Sequence, residues 1–221
     1  MARRVSSPPS AESGAPPRTP TGRSRAPRLS AAARRQHLLD VASSIISEQG
    51  SERLNMDALA RAARVSRPVV YEHFAGREAL IVALIDAHAE FLRSRVETAL
   101  RGAGTDLERR LRQTVHAYFD CVAERGRGLR ALLATSGSSP AIDAARARAR
   151  RWGAEQWTRT IRSYAGLSVA EAAAVAGAIT ASVWLLAEHW LAGSITRRRA
   201  EDIHVRMTLG QLDALRRRGR R

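Results

Sequence analysis

Two helix starts stand close together between Asn55 and Phe74, and this constrains the fold more than any other feature of the sequence. Asn55 is of the type that accepts a backbone N–H at a helix N-cap, and Leu54 and Leu59 flank it at the positions of a hydrophobic staple. Leu59, Ala60 and Ala63 then share an inner face, and the segment stops at Val65. Ser66 is the next capping residue. The helix expected from Arg67 to Phe74 tolerates Pro68, because the first turn leaves that N–H without an intrahelical partner. Val70 and Phe74 lie one turn apart and face inward, so Arg67, Val69, Glu72 and His73 point elsewhere. Two short helices with a brief turn between them, the second capped and exposed, predict a helix-turn-helix whose second helix fits the DNA major groove. Arg67, near the start of that helix, is placed to reach a guanine edge or a phosphate.

The surrounding chain is also helical. Behind Ser30, a third capping residue, Leu38, Leu39, Ala42, Ile45 and Ile46 mark an amphipathic helix that ends at Gly50. Leu80, Leu84, Ala87, Phe91 and Val96 trace a long helix from Arg77 to the break at Gly102 and Gly104. Helical spacing or composition continues over 106–124, 128–134, 140–164, 168–192 and 199–217, with Gly126, Gly128, Gly137, Pro140, Gly166 and Gly193 as expected breaks. No stretch alternates with period two and no repeat recurs, so the fold class is all-α. Residues 1–30 carry Pro, Ser and Arg without apolar periodicity and read as a disordered basic arm. Residues 31–76 form the three-helix N-terminal domain, with the motif at about 55–74, and 77–221 form a larger C-terminal helical domain.

The run Met56-Asp-Ala-Leu-Ala-Arg-Ala-Ala-Arg-Val-Ser-Arg-Pro-Val-Val-Tyr-Glu-His-Phe74, followed by Ala75-Gly-Arg-Glu-Ala-Leu80 behind a long first helix, resembles the TetR-type (TetR/AcrR) transcriptional regulators. The likeness is close over residues 34–80; beyond them only length and helical character agree. It implies that Ser66, Arg67, Pro68, Val69, Tyr71 and His73 line DNA, with Tyr71 and His73 on phosphates. Arg77 stands where the family usually has Lys and would hold a backbone phosphate. Arg64 occupies a turn position where the family commonly has Gly, so a left-handed backbone there costs about 1 kcal/mol, or the side chain contacts phosphate. Met56 replaces a phosphate-holding Thr, with Asn55 as the substitute.

Charge bears on the same question. The chain carries a formal charge of +16 with 37 basic residues, none of them Lys, which suits a polyanionic partner. Within 31–76, however, six Arg face five acids, so recognition must come from placement. The Arg146, Arg148, Arg150, Arg151 cluster and the Arg216 to Arg221 tail read as solvated helix surface. The expected function is a sequence-specific DNA-binding transcriptional regulator, a repressor released from a palindromic operator in double-stranded DNA by a small-molecule effector. The alternative is a nonspecific, nucleoid-like binder driven by the arm and tails.

In the C-terminal domain, Phe91, Val115, Tyr118, Phe119, Val122, Trp152, Gln156, Trp157 and Trp184 are candidates for an effector pocket, with His88, His116 or Glu188 as polar anchors. The resemblance further implies a homodimer through a four-helix bundle, formed by Ala174, Gly177, Ala181 and Leu185 of one helix and Met207 and Leu212 of the last. Its two-fold axis would set the recognition helices about 34–36 Å apart. No phosphate loop, nucleophile elbow or carboxylate pair predicts an enzyme, and no cofactor or metal is expected. Cys121, the one cysteine, reads as an inert core thiol in a cytoplasmic protein. The apolar stretch Ala172 to Ala187 falls short of the roughly 18 residues that span a bilayer and reads as a buried helix, with no membrane partner. Arg3 and Arg4 precede no apolar segment, so no signal peptide is expected.

Overall fold

Ser30 Oγ accepts the N–H of Ala33 at 3.2 Å and starts helix α1, Ala31–Gln49, which buries Leu38, Leu39, Ala42, Ile45 and Ile46. Gly50 ends it with a φ of 91°, a backbone that glycine adopts without a Cβ clash. A 3-10 turn at Ser51–Arg53 leads to α2, Met56–Ala62, and α3, Arg67–His73. Then follow α4, Arg77–Leu100, α5, Leu107–Ala134, α6, Pro140–Ala165, α7, Val169–Leu191, and α8, Arg197–Arg218. The computed structural model describes residues 29–134 and 139–218, and among these there is no strand. The expected basic arm up to residue 28, the break at Gly137 and the end of the Arg tail at 219–221 lie outside the described residues.

Two expectations change. α5 runs on through Gly126 and Gly128, where the sequence suggested breaks. A glycine inside a helix costs only about 1 kcal/mol against alanine, and α5 packs along α1, where Ser47 Oγ donates to the Arg125 carbonyl at 3.2 Å. The alanine-rich helix is also not buried all round. α7 starts at a capping box made by Ser168 and Glu171 and buries one stripe, Ala172, Ala176, Ile179, Val183 and Ala187. It is long and apolar enough to cross a membrane by length and composition, yet its buried stripe packs against α6 and α8.

Three apolar clusters hold the helices together. The first joins α1, α2, α3 and the start of α4, from Leu38 to Ile85, and takes in Ile142 and Ala145 of α6. The core beneath the helix-turn-helix thus extends past residue 76 into the long helices. The second is built on Leu111, Val115, Phe119 and Val122 of α5 against Val183, Ala187 and Val205. The third joins Ile161, Ala172, Ala176, Ile179 and Leu212. Arg148 on α6 reaches Asp86 on α4 at 3.0 Å, a half-exposed pair that fixes register more than stability.

Candidate nucleic-acid interface and core cavity

The turn between α2 and α3 closes by a Schellman motif. Val65 N–H donates to the Ala60 carbonyl at 3.0 Å and Arg64 N–H to the Arg61 carbonyl at 3.2 Å, with Arg64 at φ 54°. The left-handed position expected from the glycine-type slot is present, and an arginine fills it. Asn55 Oδ1 accepts the Ala58 N–H at 2.8 Å, and its amide turns back to the Arg53 carbonyl at 3.4 Å. Met56 is buried in the first cluster, so it offers nothing to a phosphate. Leu54 and Leu59, both fully buried, form the staple.

α3 seats itself by Val70 and Phe74, both buried, and turns the rest outward. Ser66, Arg67, Pro68, Tyr71 and Glu72 are exposed and Val69 and His73 half-buried. Tyr71, 46% exposed, is too open to be a packing aromatic. Ser66 is the N-cap residue by position, yet its side chain makes no cap hydrogen bond, contrary to expectation. Pro68 supplies no N–H at this helix start, and the Ser66 carbonyl accepts from Val69 instead.

Two arginines have partners that the sequence did not reveal. Arg67 Nε lies 2.6 Å from Asp57 Oδ1 on α2. Arg77 donates through Nε to the Leu54 carbonyl at 2.8 Å and through its second terminal nitrogen to the Ser51 carbonyl at 2.9 Å. Its guanidinium therefore fastens the first turn of α4 to the segment that precedes α2.

In the C-terminal helices a narrow cavity of about 80 Å³ lies among α4, α5, α6, α7 and α8. Of the nine pocket candidates, Val115, Tyr118, Trp152, Gln156, Trp157 and Trp184 line it, together with Leu92, Val96, Thr114, Thr180 and His204. Phe91, Phe119 and Val122 do not. Phe91 lies beneath the guanidinium groups of Arg125, at 4.1 Å, and Arg95, at 5.2 Å, on another side of α4. Phe119 and Val122 are buried in the second cluster, where Phe119 meets the Trp190 ring at 5.4 Å. His88 is buried, His116 lies on the surface near Asp120 and Glu201, and neither lines this cavity. Glu188 is exposed and does not line it either.

A wider concavity of about 500 Å³ opens between α4, α5 and α8. Its charges close on one another: Arg197 pairs with Asp120 at 2.7 Å and Glu201 at 2.6 Å, Arg112 with Glu108 at 2.7 Å, and Arg95 with Glu124. With those charges already matched and the walls open to water, this cleft has less to offer an apolar ligand than the narrow cavity.

The structure also brings together a pair that sequence reasoning did not foresee. Ser182 Oγ and His204 Nδ1 lie 3.1 Å apart across α7 and α8, and burial pushes the His204 imidazole down to about 4. Ser182 Oγ also donates to the Ile179 carbonyl at 2.8 Å, which commits its hydrogen to the backbone. Cys121 is buried and desolvation raises its thiol to about 11, in keeping with an inert core residue.

Of the residues expected at a dimer interface, Ala174, Ala181, Leu185 and Met207 are exposed, and a Cβ added to Gly177 would meet nothing within 4 Å. Leu212 is different. It is 1% exposed and packs in the third cluster, because the buried stripe of α8 runs His204, Thr208, Leu212.

Residues 38–84 match the model of the bacterial regulatory proteins of the tetR family. The transcriptional activator FasR of Mycolicibacterium smegmatis is 38% identical over 109 residues, 49% of each chain. The transcriptional regulator EthR of the same organism is 29% identical over 123 residues, 56% of each chain. The chain thus aligns with about half the length of these curated relatives. Among solved structures, a tetR-family transcriptional regulator from Streptomyces coelicolor superposes with a TM-score of 0.70 at 26% identity, covering 86% of this chain and 89% of that one.

Proposed function

We propose that this chain, a TetR-type regulator by its helix-turn-helix and its all-helical fold, holds a palindromic operator as a homodimer and is released by a small-molecule effector. One observation carries the reading: α3 buries only Val70 and Phe74 and leaves Arg67, Pro68, Tyr71 and the Ser66 hydroxyl on an outward face. That face presents both hydrogen-bonding groups and an aromatic to a groove. In this reading Tyr71, His73 and Ser66 meet phosphates, Arg67 and Val69 meet base edges, and Arg64 projects from the turn toward the backbone of the DNA.

The proposed division is an arm at 1–30, a DNA-binding domain at 31–76 and an effector and dimerisation domain at 77–221. The exposed face of α7, with Ala174, Gly177, Ala181 and Leu185, packs against its copy beside Met207 of α8. Small residues there let the two helices approach closely. The effector occupies the cavity lined by the three tryptophans and moves α4, whose Leu92 and Val96 form one wall. Because α4 begins at Arg77, that motion changes the spacing of the two recognition helices. A dimer seated over a promoter represses; if this chain instead activates, as FasR does, the same release lowers transcription. In this reading the protein works in the cytoplasm as a regulator and not as an enzyme.

The test is selection of bound sequences from a random duplex pool at near-physiological salt. The expected result is a palindrome with half-sites about one helical turn apart, lost in Arg67→Ala. Binding without enrichment that vanishes as salt rises would overturn the reading in favour of a nonspecific, nucleoid-like binder.

A further inference from the structure

The Arg35 guanidinium lies over the Phe74 ring, 4.9 Å from its centroid, so the second turn of α1 stands within one side chain's reach of the C-terminal end of α3. Ser30, where α1 starts, is five residues further back, about 7–8 Å along the axis at a rise of about 1.5 Å per residue. The segment before it therefore joins the fold beside the end of the recognition helix. No acidic residue occupies the first turn of α1 to repel a phosphate there.

Charge gives that segment weight. Residues 31–76 carry six Arg against five acids, whereas residues 1–28, outside the described residues, carry Arg3, Arg4, Arg18, Arg23, Arg25 and Arg28 against Glu12 alone. A duplex presents one negative charge for about every 1.7 Å of its axis, and the nearly neutral helix-turn-helix offsets little of it. Composition narrows the choice of groove. Between Arg23, Arg25 and Arg28 stand only Ser24, Ala26 and Pro27, small residues without charge, and Gly22 precedes them. Pro27 has no N–H to give a helix and biases Ala26 toward extended backbone. A thin strand with closely spaced arginines suits the minor groove, about 6 Å wide, whereas the major groove has the width of a helix. Its reach is sufficient. At about 3.3–3.6 Å per extended residue, Arg28, Arg25 and Arg23 extend up to about 7, 17 and 24 Å from Ser30. The last two distances span a sugar-phosphate strand and a groove of that width.

We infer that residues 23–28 occupy the minor groove next to the major groove that α3 enters, and that Arg23, Arg25 and Arg28 select A·T pairs there. A run of A·T narrows the minor groove and strengthens its negative potential, which draws guanidinium groups. A G·C pair instead puts the guanine amino group on the groove floor, in their way. This rests on the reading of α3 as the major-groove helix, and it adds a second sequence-selective contact to each half-site.

The experiment compares the full-length protein with a full-length variant carrying Arg23→Ala, Arg25→Ala and Arg28→Ala, three changes that all precede α1. Both select from the random duplex pool. The wild type should enrich a run of A·T beside each half-site, and the variant should enrich the same half-sites without that run. Fluorescence anisotropy then reads both proteins on the selected duplex with its flanking A·T pairs kept, changed to G·C, or changed to inosine·cytosine. Inosine lacks the guanine amino group, so its pair shows the minor groove of A·T and the major groove of G·C. G·C flanks should weaken the wild type about tenfold, and inosine flanks should restore it to within about twofold of the A·T duplex. The variant should bind all three alike. The inference is overturned if the wild type shows no flank preference, if inosine flanks bind as poorly as G·C, or if the variant keeps the preference. Runs of A·T enriched without a palindrome, and lost in the variant, would support the groove contact and sink the operator reading. A palindrome with indifferent flanks would do the reverse.

Discussion

Arg77 Nε donates to the carbonyl of Leu54 at 2.8 Å, which ties the first residue of α4 to the residue just before the cap of α2. Leu54 is fully buried and forms the staple of α2 with Leu59, so the bond reaches the frame that carries the recognition helix. The Ser51 carbonyl takes a second bond from the same guanidinium at 2.9 Å. A planar fork with several N–H groups serves two carbonyls at once, whereas an ammonium is a single point. A motion of α4 therefore reaches α2 through hydrogen bonds as well as through packing.

Arg77→Ala should lower the stability of the protein by about 1–2 kcal/mol, the usual worth of hydrogen bonds from a charged donor at a part-buried site. Arg77→Lys should recover less than half of that. Urea unfolding of both variants checks it. Unchanged midpoints, with only a flatter salt dependence of DNA binding, would mean that Arg77 acts as a phosphate holder and not as the tie.

Arg67 is held by Asp57 at 2.6 Å, and both side chains are about half-exposed. A base edge or phosphate must compete with that carboxylate. Asp57→Asn should therefore tighten operator binding by the cost of breaking an exposed ion pair, about 0.2–1 kcal/mol, or up to about fivefold. Arg67→Ala should weaken it by about 1–3 kcal/mol. Fluorescence anisotropy on the selected duplex reads both. Weaker binding by Asp57→Asn would show that the carboxylate positions Arg67 and does not sequester it.

Arg64 sits at φ 54° at the C′ position of the Schellman turn. Replacing it by glycine removes the clash of Cβ with the backbone, so Arg64→Gly should raise stability by about 0.5–1 kcal/mol, reduced by the greater freedom of glycine in the unfolded chain. Arg64→Ala keeps the Cβ and should gain nothing. Thermal melts of the pair decide this. If Arg64 also holds a phosphate, Arg64→Gly binds DNA less tightly although it is more stable.

The helix-turn-helix was legible because its signals are local. Asn55 caps three residues away, Leu54 and Leu59 staple across one turn, and Val70 and Phe74 share a face. The positive φ of Arg64 followed from the slot it fills in the resembling family. Partners of long side chains were not legible: the sequence marks Arg67 and Arg77 as cations but not Asp57 or the Leu54 carbonyl as their targets. In the C-terminal helices the ambiguity concerned faces. His204 and Thr208 read as polar, so the stripe they share with Leu212 does not look like the side that α8 buries. Likewise Phe91 is the conspicuous apolar residue of its turn, yet Leu92 faces the cavity and Phe91 packs under two arginines.

Gly177 lies on the exposed face of α7 with open space where a side chain would stand. Gly177→Glu should therefore leave the monomer intact, and a better helix former even adds up to about 1 kcal/mol to it. In a two-fold interface each new carboxylate is buried near its copy, and the dimer should dissociate. Sedimentation velocity would find a monomer with unchanged helicity. A dimer that persists in the variant would move the interface to another face.

His204 links the cavity to acid stability. Its ordinary value is 6.5, and burial holds it at about 4 in the folded protein. Between those values the unfolded chain binds a proton that the folded chain does not, so stability falls as pH falls through this window. The contribution is nearly absent at pH 7 and amounts to a loss of about 2 kcal/mol at pH 5, at 1.36 kcal/mol for each unit of difference. His204→Asn cannot take up that proton. Although it is less stable at neutral pH, it should lose about 2 kcal/mol less than the wild type between pH 7 and pH 5. Urea titrations of both proteins at the two pH values measure this difference, in which the carboxylates common to both cancel. Equal acid sensitivity would mean that His204 is solvated and already charged near pH 5.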